Sequence, residues 1–111
     1  MIEEEHCRPC KGGEPPLKEE VAKGFFDQLK PGWYMEENHH LEKEYSFPNF
    51  KEALRFTRQI GLIAEEEGHH PDIYLTWGKV GVVLFTHKID GLSKNDFILA
   101  AKFDLAYETK N

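Results

Sequence analysis

The stretch that decides the fold is residues 49–87, which read NFKEALRFTRQIGLIAEEEGHHPDIYLTWGKVGVVLFTH. Asn49 is of a type that caps helices, and Glu52 stands where a capping box places its second partner. Apolar residues then recur at helical spacing as far as Ala64. The pattern predicts a helix that starts after Asn49 and ends near Gly68, because glycine suits the left-handed position that follows a helix.

Pro71 marks the change from helical to β-like sequence. It forces the residue before it toward extended backbone, so the turn after the helix is expected to be stiff. Two β-rich runs follow, residues 73–77 and 79–86, and Gly78 separates them. They predict a β-hairpin.

The flanking sequence repeats this alternation of helix and hairpin. Residues 19–29 carry apolar side chains at helical spacing, and residues 33–35 with 41–47 have the pattern of another hairpin. Ser93 opens a third helix, with Asp96 at the capping-box spacing. The order α-β-β-α-β-β-α predicts an α+β fold: a four-stranded antiparallel sheet with three helices packed on one face.

The composition is that of one acidic domain. The chain has 111 residues, 40% of them hydrophobic, and a formal net charge of -6. It can bury one core, and it lacks the basic excess that binds nucleic acid through phosphates. Its longest apolar run, residues 80–85, is far shorter than the roughly 20 residues of a membrane span, and no apolar signal region follows the N-terminus. We expect a cytoplasmic protein with no direct nucleic-acid or membrane contact.

Residues 1–16 have the pattern of an N-terminal tail before a single domain of residues 17–111. Both cysteines lie in this tail, as Cys7-x-x-Cys10. The pair can be structural, a redox pair, or half of a metal site to which His6 adds a ligand. Zinc takes about four ligands and no second such pair occurs, so the spacing leaves these alternatives open.

Histidines surround the junction between the predicted helix and its hairpin. His69 and His70 lie in the stiff turn, and His87 follows the second β-rich run. If the two runs pair, His87 comes beside the turn. Imidazole titrates near neutrality, so this group suits acid–base catalysis or metal binding. His39 and His40 form the same dipeptide in a hairpin tip, and we interpret them as solvent-exposed turn residues.

Acidic residues stand where helix electrostatics disfavour them. Glu65, Glu66 and Glu67 lie at the negative end of the predicted helix, at a cost of roughly 0.3–1 kcal/mol each. Such conflicts are more frequent at functional sites, although a solvated acidic helix end explains them as well. Glu65 stands four residues before His69, so its carboxylate can approach an imidazole or a bound ligand.

The apolar surface of the same helix is broader than one stripe. The surplus predicts contact with another subunit in addition to the sheet, and a wide core stripe explains it nearly as well. The residues on this surface are Phe50, Ala53, Leu54, Phe56, Thr57, Ile60, Gly61, Leu62, Ile63 and Ala64.

A series of short motifs stands in order between residues 15 and 107. They are Ala64-Glu65, Gly68-His69-His70-Pro71-Asp72, Trp77-Gly78-Lys79-Val80, Thr86-His87, and Gly91-Leu92-Ser93 followed by Asp96. This ordered set resembles the pterin-4a-carbinolamine dehydratases. Members of that family dehydrate 4a-hydroxytetrahydropterin to quinonoid dihydropterin without a metal or organic cofactor, in the recycling of tetrahydrobiopterin. The resemblance implies a hydro-lyase with a pterin substrate that forms a homodimer or homotetramer.

The resemblance also implies site residues. The implied catalytic residues are His69, His70 and His87, and the implied substrate contacts are Glu65, Gly68, His69, His70, Phe85, Thr86, His87 and Lys88. Our hypothesis is that His70 is the acid or base nearest the hydroxyl, that His87 assists it, and that His69 with Glu65 orients the pterin. Many relatives carry Asp at the position of Gly68 and Glu or another polar residue at that of Lys88, so pterin affinity is expected to differ here. We interpret Asp96 as a helix cap rather than a catalyst.

Two other functions stay open. Animal relatives of the family also act as dimerisation cofactors for a transcription factor, so one alternative is a protein-interaction module or transcriptional coactivator. The other is a His-rich metal protein that uses His6 with the two cysteines, or the three histidines of the implied catalytic set. The resemblance favours a site without metal.

Overall fold

The computed structural model describes residues 2–9, 12 and 14–109. The elements follow the predicted order and confirm the α+β fold. Their bounds are α1 Glu19–Phe26, β1 Tyr34–Glu36, β2 His40–Ser46, α2 Phe50–Glu67, β3 Asp72–Leu75, β4 Lys79–Leu84 and α3 Lys94–Glu108, with short 3-10 helices at Ile2–Glu4 and His87–Ile89.

The four strands form one antiparallel sheet in the order β1-β2-β4-β3. The two predicted hairpins meet along β2 and β4. In the β3–β4 hairpin, Asp72 at the start of β3 pairs with Val83 near the end of β4. The turn that follows α2 and the segment that follows β4 therefore lie at the same end of the sheet.

The second hairpin is shorter than its sequence pattern predicts. Its strands end at Leu75 and Leu84, because residues 76–78 form the connecting turn, in which Thr76 N–H donates to the Lys79 carbonyl at 2.9 Å. Thr86 does not continue β4: its backbone forms only an isolated bridge with Gly91. Its hydroxyl donates a hydrogen bond to Asp96. Residues 85–86 are thus a connection to the 3-10 helix that begins at His87, rather than the end of a strand.

The core lies between the inner face of the sheet and the helices. Alternate residues of β2 and β4 point into it, including Leu41, Tyr45 and Val82, as period-2 alternation requires. Phe56 and Ile60 of α2 pack on them. No helix of the described residues covers the opposite face of the sheet, which carries the exposed side chains Tyr34 and Tyr74.

A polar network is embedded at one edge of this core. The Asp104 carboxylate accepts hydrogen bonds from Trp33 Nε1 at 2.8 Å, Lys43 Nζ at 2.7 Å and Tyr45 Oη at 2.7 Å. The side chains of Asp104 and Lys43 are only 4% and 10% exposed. Burial and the neighbouring Asp104 carboxylate raise the pKa of the Tyr45 hydroxyl, so it stays a donor.

The broad apolar surface of α2 divides into two parts. Ala53, Phe56, Ile60 and Ala64 are buried against the sheet and α3. Phe50, Leu54 and Leu62 stay exposed on the outer side of the helix. The core of this chain therefore does not bury all of the apolar surface that the sequence pattern indicates on α2.

Part of the segment predicted as a tail lies against the domain. Ile2 is buried in the core, and Lys102 Nζ of α3 donates to the Glu3 carbonyl at 2.9 Å. Cys10 lies outside the described residues, so the interpretations of the cysteine pair stay predictions. Within residues 2–9, 12 and 14–109, no group of three or more His, Cys, Asp and Glu side chains is arranged to hold a metal ion.

The helices of the fold are, over the described residues, too short or too polar for a bilayer. None of those in the described part of the chain has both the length and the apolar character needed to cross a bilayer.

Candidate active site

A cleft of about 650 Å³ opens at the end of the sheet where α2 ends and β4 ends. We call it the histidine cleft, because all three histidines of the implied catalytic set border it. Its lining residues are Cys7, Arg8, Pro9, Glu66, Glu67, Gly68, His69, His70, Pro71, Asp72, Thr86, His87, Lys88 and Asn95.

Local backbone chemistry builds the turn that carries two of these histidines. Gly68 adopts the left-handed conformation, with φ of 67°, and so confirms the predicted end of α2. The N–H of His69 donates to the Ala64 carbonyl at 3.2 Å, which closes the last turn of the helix. A Cβ added at Gly68 would meet no atom within 4 Å, so space alone does not require glycine there.

His69 is the most enclosed of the three histidines, with its side chain 11% exposed. Its Nε2 donates to Asp96 Oδ1 at 2.6 Å. The other carboxylate oxygen of Asp96 accepts from Ser93 N–H at 2.9 Å and from the Thr86 hydroxyl at 2.8 Å. Asp96 therefore caps α3, as predicted, and also orients His69.

The sequence predicts that Asp96 caps α3, but it does not predict that Asp96 orients His69. A capping box uses one carboxylate oxygen, which leaves the second for another donor. The capping-box spacing signals the first task, whereas the approach of His69 from 27 residues away depends on how α2 and α3 pack.

His70 is in a different environment, with its side chain 64% exposed. Its Nε2 donates to Glu65 Oε1 at 2.8 Å. Glu65 thus contacts His70, whereas the sequence hypothesis paired it with His69. The reason is the left-handed Gly68, which ends the helical path and turns His69 toward α3. Glu65 does not line the histidine cleft.

His87 begins the 3-10 helix that follows β4. Its ring packs on Phe85 at a centroid distance of 4.2 Å, and Phe85 in turn packs on His39 at 5.0 Å. Phe85 does not line the cleft, so it supports His87 from behind. Thr86 and Lys88 do line the cleft, on either side of His87 in sequence.

The interpretation of His39 and His40 as solvent-exposed turn residues is wrong for His40, whereas His39 does lie in the turn but is partly buried. His40 is the first residue of β2, and both side chains are partly buried. His39 Nε2 donates to Asp90 Oδ1 at 2.9 Å. The pairing of β2 with β4 brings the tip of the first hairpin against Phe85, which the local sequence does not reveal.

Two of the three glutamates at the end of α2 have specific contacts, Glu65 with His70 and Glu67 with the N-terminal segment. Glu67 Oε1 accepts from the Cys7 N–H at 2.7 Å, and Glu67 Oε2 accepts from His6 Nδ1 at 2.8 Å. Burial opposes ionisation of Glu67, but the bonds from Cys7 and His6 and the charge of Lys102 outweigh it and lower its pKa below the ordinary value of 4.5.

This lowered pKa predicts a pH-dependent contribution to folding. A carboxyl with a lower pKa in the folded state stabilises the fold fully above its unfolded pKa and loses that contribution as pH falls through the folded pKa. The free energy of unfolding of the wild type should therefore be lower at about pH 3 than at about pH 6, and we expect Glu67→Gln to make this difference smaller. Thermal unfolding across this range measures it, with the exposed neighbour variant Glu66→Gln as control. Parallel profiles for Glu67→Gln and the wild type would contradict the assignment.

Removal of the Asp96 carboxylate should affect both stability and the cleft. We expect Asp96→Ala to destabilise the fold by about 1–3 kcal/mol, because the α3 cap and a buried acceptor are lost. Urea unfolding measures this effect. Asn49→Ala is the matched control, since the Asn49 side chain caps α2 by accepting from Glu52 N–H at 2.9 Å and does not line the histidine cleft. An Asp96→Ala loss no greater than that of the control would show that Asp96 acts only as a cap.

Comparisons with known proteins agree with the fold and indicate a family. A family model described as "Pterin 4 alpha carbinolamine dehydratase" matches residues 15–106. Proteins named "Putative pterin-4-alpha-carbinolamine dehydratase" are similar: one from Alkaliphilus metalliredigens is 54% identical over 93% of each chain, and one from Rubrobacter xylanophilus is 50% identical over 93% of this chain and 95% of its own.

A solved structure shares the architecture. It is described as "Crystal structure of transcriptional coactivator/pterin dehydratase from Brucella Melitensis". It superposes with a TM-score of 0.75 at 27% identity and covers 81% of this chain and 96% of its own.

Fold and cleft together describe an α+β protein with a histidine-bordered cleft at one end of a four-stranded antiparallel sheet. The chain belongs to the pterin 4 alpha carbinolamine dehydratase family.

Proposed function

We propose that this protein is a 4a-hydroxytetrahydrobiopterin dehydratase that converts the 4a-carbinolamine to quinonoid dihydropterin by histidine acid–base catalysis. The observation that carries the proposal is the convergence of His69, His70 and His87 on one cleft in a chain of this family. The volume of about 650 Å³ lies within the usual range for sites that hold small molecules.

The reaction needs two proton movements. The C4a–O bond breaks as the hydroxyl takes a proton and leaves as water, and N5 loses its proton as the C4a=N5 double bond forms. Neither movement changes the oxidation state of the pterin. A positioned acid or base contributes typically about 10²–10⁴-fold to such a step, so histidines are sufficient without a metal or organic cofactor.

The contacts of the histidines support a division of roles. Glu65 holds the Nε2–H of His70, which leaves Nδ1 as the ring nitrogen that exchanges a proton with substrate. His70 is then the acid or base nearest the hydroxyl, and His87 assists from the other side of the turn. His69 is held by Asp96, so it orients the pterin.

The proposed substrate contacts follow the same geometry. Gly68, His69, His70, Thr86, His87 and Lys88 border the cleft and contact the pterin directly. Glu65 and Phe85 do not contact the pterin. Glu65 positions His70 and Phe85 positions His87.

The test is the rate of 4a-hydroxytetrahydropterin dehydration with the wild-type protein against buffer alone. We expect a clear acceleration that survives treatment with a chelator. A rate equal to that of buffer would reject the enzyme proposal, and loss of activity with chelator would reject the metal-free mechanism.

We also propose that the enzyme works in the cytoplasm in tetrahydrobiopterin recycling, as a homodimer or homotetramer. The exposed Phe50, Leu54 and Leu62 of α2 support self-association, because exposed apolar patches commonly mark protein interfaces. The mass of the protein in solution measures the oligomeric state.

A role as dimerisation cofactor or transcriptional coactivator is the second candidate. The same exposed residues of α2 favour it, and the Brucella structure is described as that of a transcriptional coactivator as well as a pterin dehydratase. The net charge of -6 favours protein contact over DNA contact for such a role. The turnover assay separates it from the enzyme.

A further inference from the structure

One side of the histidine cleft is formed by residues that precede the segment matched by the family model. Cys7, Arg8 and Pro9 line the cleft together with the three histidines. The match to the family model begins at residue 15. We call residues 7–9 the N-terminal wall.

Two buried side chains hold the backbone of this wall. Asn95 accepts from the Arg8 N–H at 3.0 Å through Oδ1 and donates to the Arg8 carbonyl at 2.6 Å through Nδ2. Glu67 accepts from the Cys7 N–H at 2.7 Å. Paired bonds of this kind to one residue fix both the position and the orientation of its peptide groups.

These anchors are next to the catalytic machinery in sequence. Asn95 precedes Asp96, which orients His69, and Glu67 precedes the Gly68 turn that carries His69. The wall and His69 are therefore positioned by the same two helix ends, the C-terminus of α2 and the N-terminus of α3.

The thiol of Cys7 in the N-terminal wall is unreactive. Burial, together with the negative charges of Glu67 and Asp96, raises the pKa of the Cys7 thiol to about 12. A neutral thiol is a poor nucleophile and a poor metal ligand. The N-terminal wall can therefore bind a ligand in the cleft, but Cys7 does not supply covalent chemistry there.

Arg8 is the residue of the wall that can recognise a substrate. Its side chain is exposed, and no carboxylate of the described residues forms an ion pair with it, although its charge acts on nearby Glu5. A guanidinium presents several N–H donors in a planar fork. A pterin offers acceptors in the same plane, its ring carbonyl oxygen and ring nitrogens.

We propose that the N-terminal wall contacts the bound pterin and that Arg8 determines specificity by donating hydrogen bonds to an acceptor of the substrate ring. The inference rests on the proposed function and adds a residue to it.

The first test is Arg8→Ala, measured as KM and kcat for carbinolamine dehydration. We expect KM to rise about tenfold, because a hydrogen bond to a charged donor is lost, and kcat to stay within about twofold. Arg8→Lys should recover part of the affinity. Arg58→Ala, which removes an exposed arginine of α2 outside the cleft, is the matched control and should leave both constants unchanged.

The second test releases the wall without changing Arg8. Asn95→Ala removes both bonds to the Arg8 backbone, so KM should rise and Cys7 should be alkylated faster in a Cys10→Ser background. Thermal unfolding of each variant shows whether the fold is retained. An unchanged KM in Arg8→Ala, beside an active wild type, overturns the inference whatever Asn95→Ala shows.

A binding measurement separates this inference from the proposed function. Quenching of 7,8-dihydropterin fluorescence reports affinity without turnover. A wild type that binds but does not turn over rejects the dehydratase proposal and still tests the wall, through a weaker Kd in Arg8→Ala. A wild type that neither binds nor turns over overturns both.

Discussion

His70→Ala and His87→Ala are each expected to lower kcat for carbinolamine dehydration by about 10²-fold or more, with little change in stability. His70 is 64% exposed and its hydrogen bond to Glu65 lies at the surface, where such contacts contribute at most about 1 kcal/mol. His87 is also exposed. Loss of activity in these variants therefore reports chemistry rather than unfolding.

The measurement is steady-state kinetics together with thermal unfolding of each variant. His40→Ala is the control, since this partly buried histidine lies on β2 and does not line the histidine cleft. The double variant adds information: if the two imidazoles act in one step, its loss should be smaller than the product of the two single losses. Full activity in both single variants would reject the proposed roles.

The second large effect concerns stability and lies far from the cleft. Asp104→Ala is expected to lower the free energy of unfolding by about 3–5 kcal/mol, because it leaves the buried Lys43 ammonium without its counter-ion. Trp33 Nε1 and the Tyr45 hydroxyl lose their acceptor at the same time. An unsatisfied buried donor alone costs about 1–3 kcal/mol.

Urea unfolding measures this loss as a shift of the midpoint. Glu108→Ala is the matched control: it also removes a carboxylate from α3, but its ion pair with Lys30, at 3.6 Å, is exposed. We expect the control to cost less than about 1 kcal/mol. If Asp104→Ala cost no more than the control, the network would not be a determinant of stability.

The local elements were predictable because their signals act within a few residues. Asn49 bonds to Glu52 N–H, and Ser93 with Asp96 forms the capping box that the spacing indicates. Gly68 ends α2 in the left-handed conformation. Backbone groups at helix ends need partners close by in sequence, so these contacts follow from the chain itself.

The family was also evident from sequence, since its motifs are ordered residue types that need no geometry to be seen. That the three histidines share a cleft followed in outline from the pairing of the two β-rich runs. The antiparallel register of β3 and β4, with Asp72 opposite Val83, is the structural basis of that expectation.

The contacts that complete the site join distant parts of the chain, and only the tertiary structure decided them. Asp96 reaches His69 over 27 residues, Glu67 reaches Cys7 over 60, and His39 packs on Phe85 across the sheet. Each depends on how helices rotate on the sheet and on the register of β2 with β4. Local hydrogen-bonding rules specify which residues begin and end an element, but burial of the shared core specifies which side chains meet.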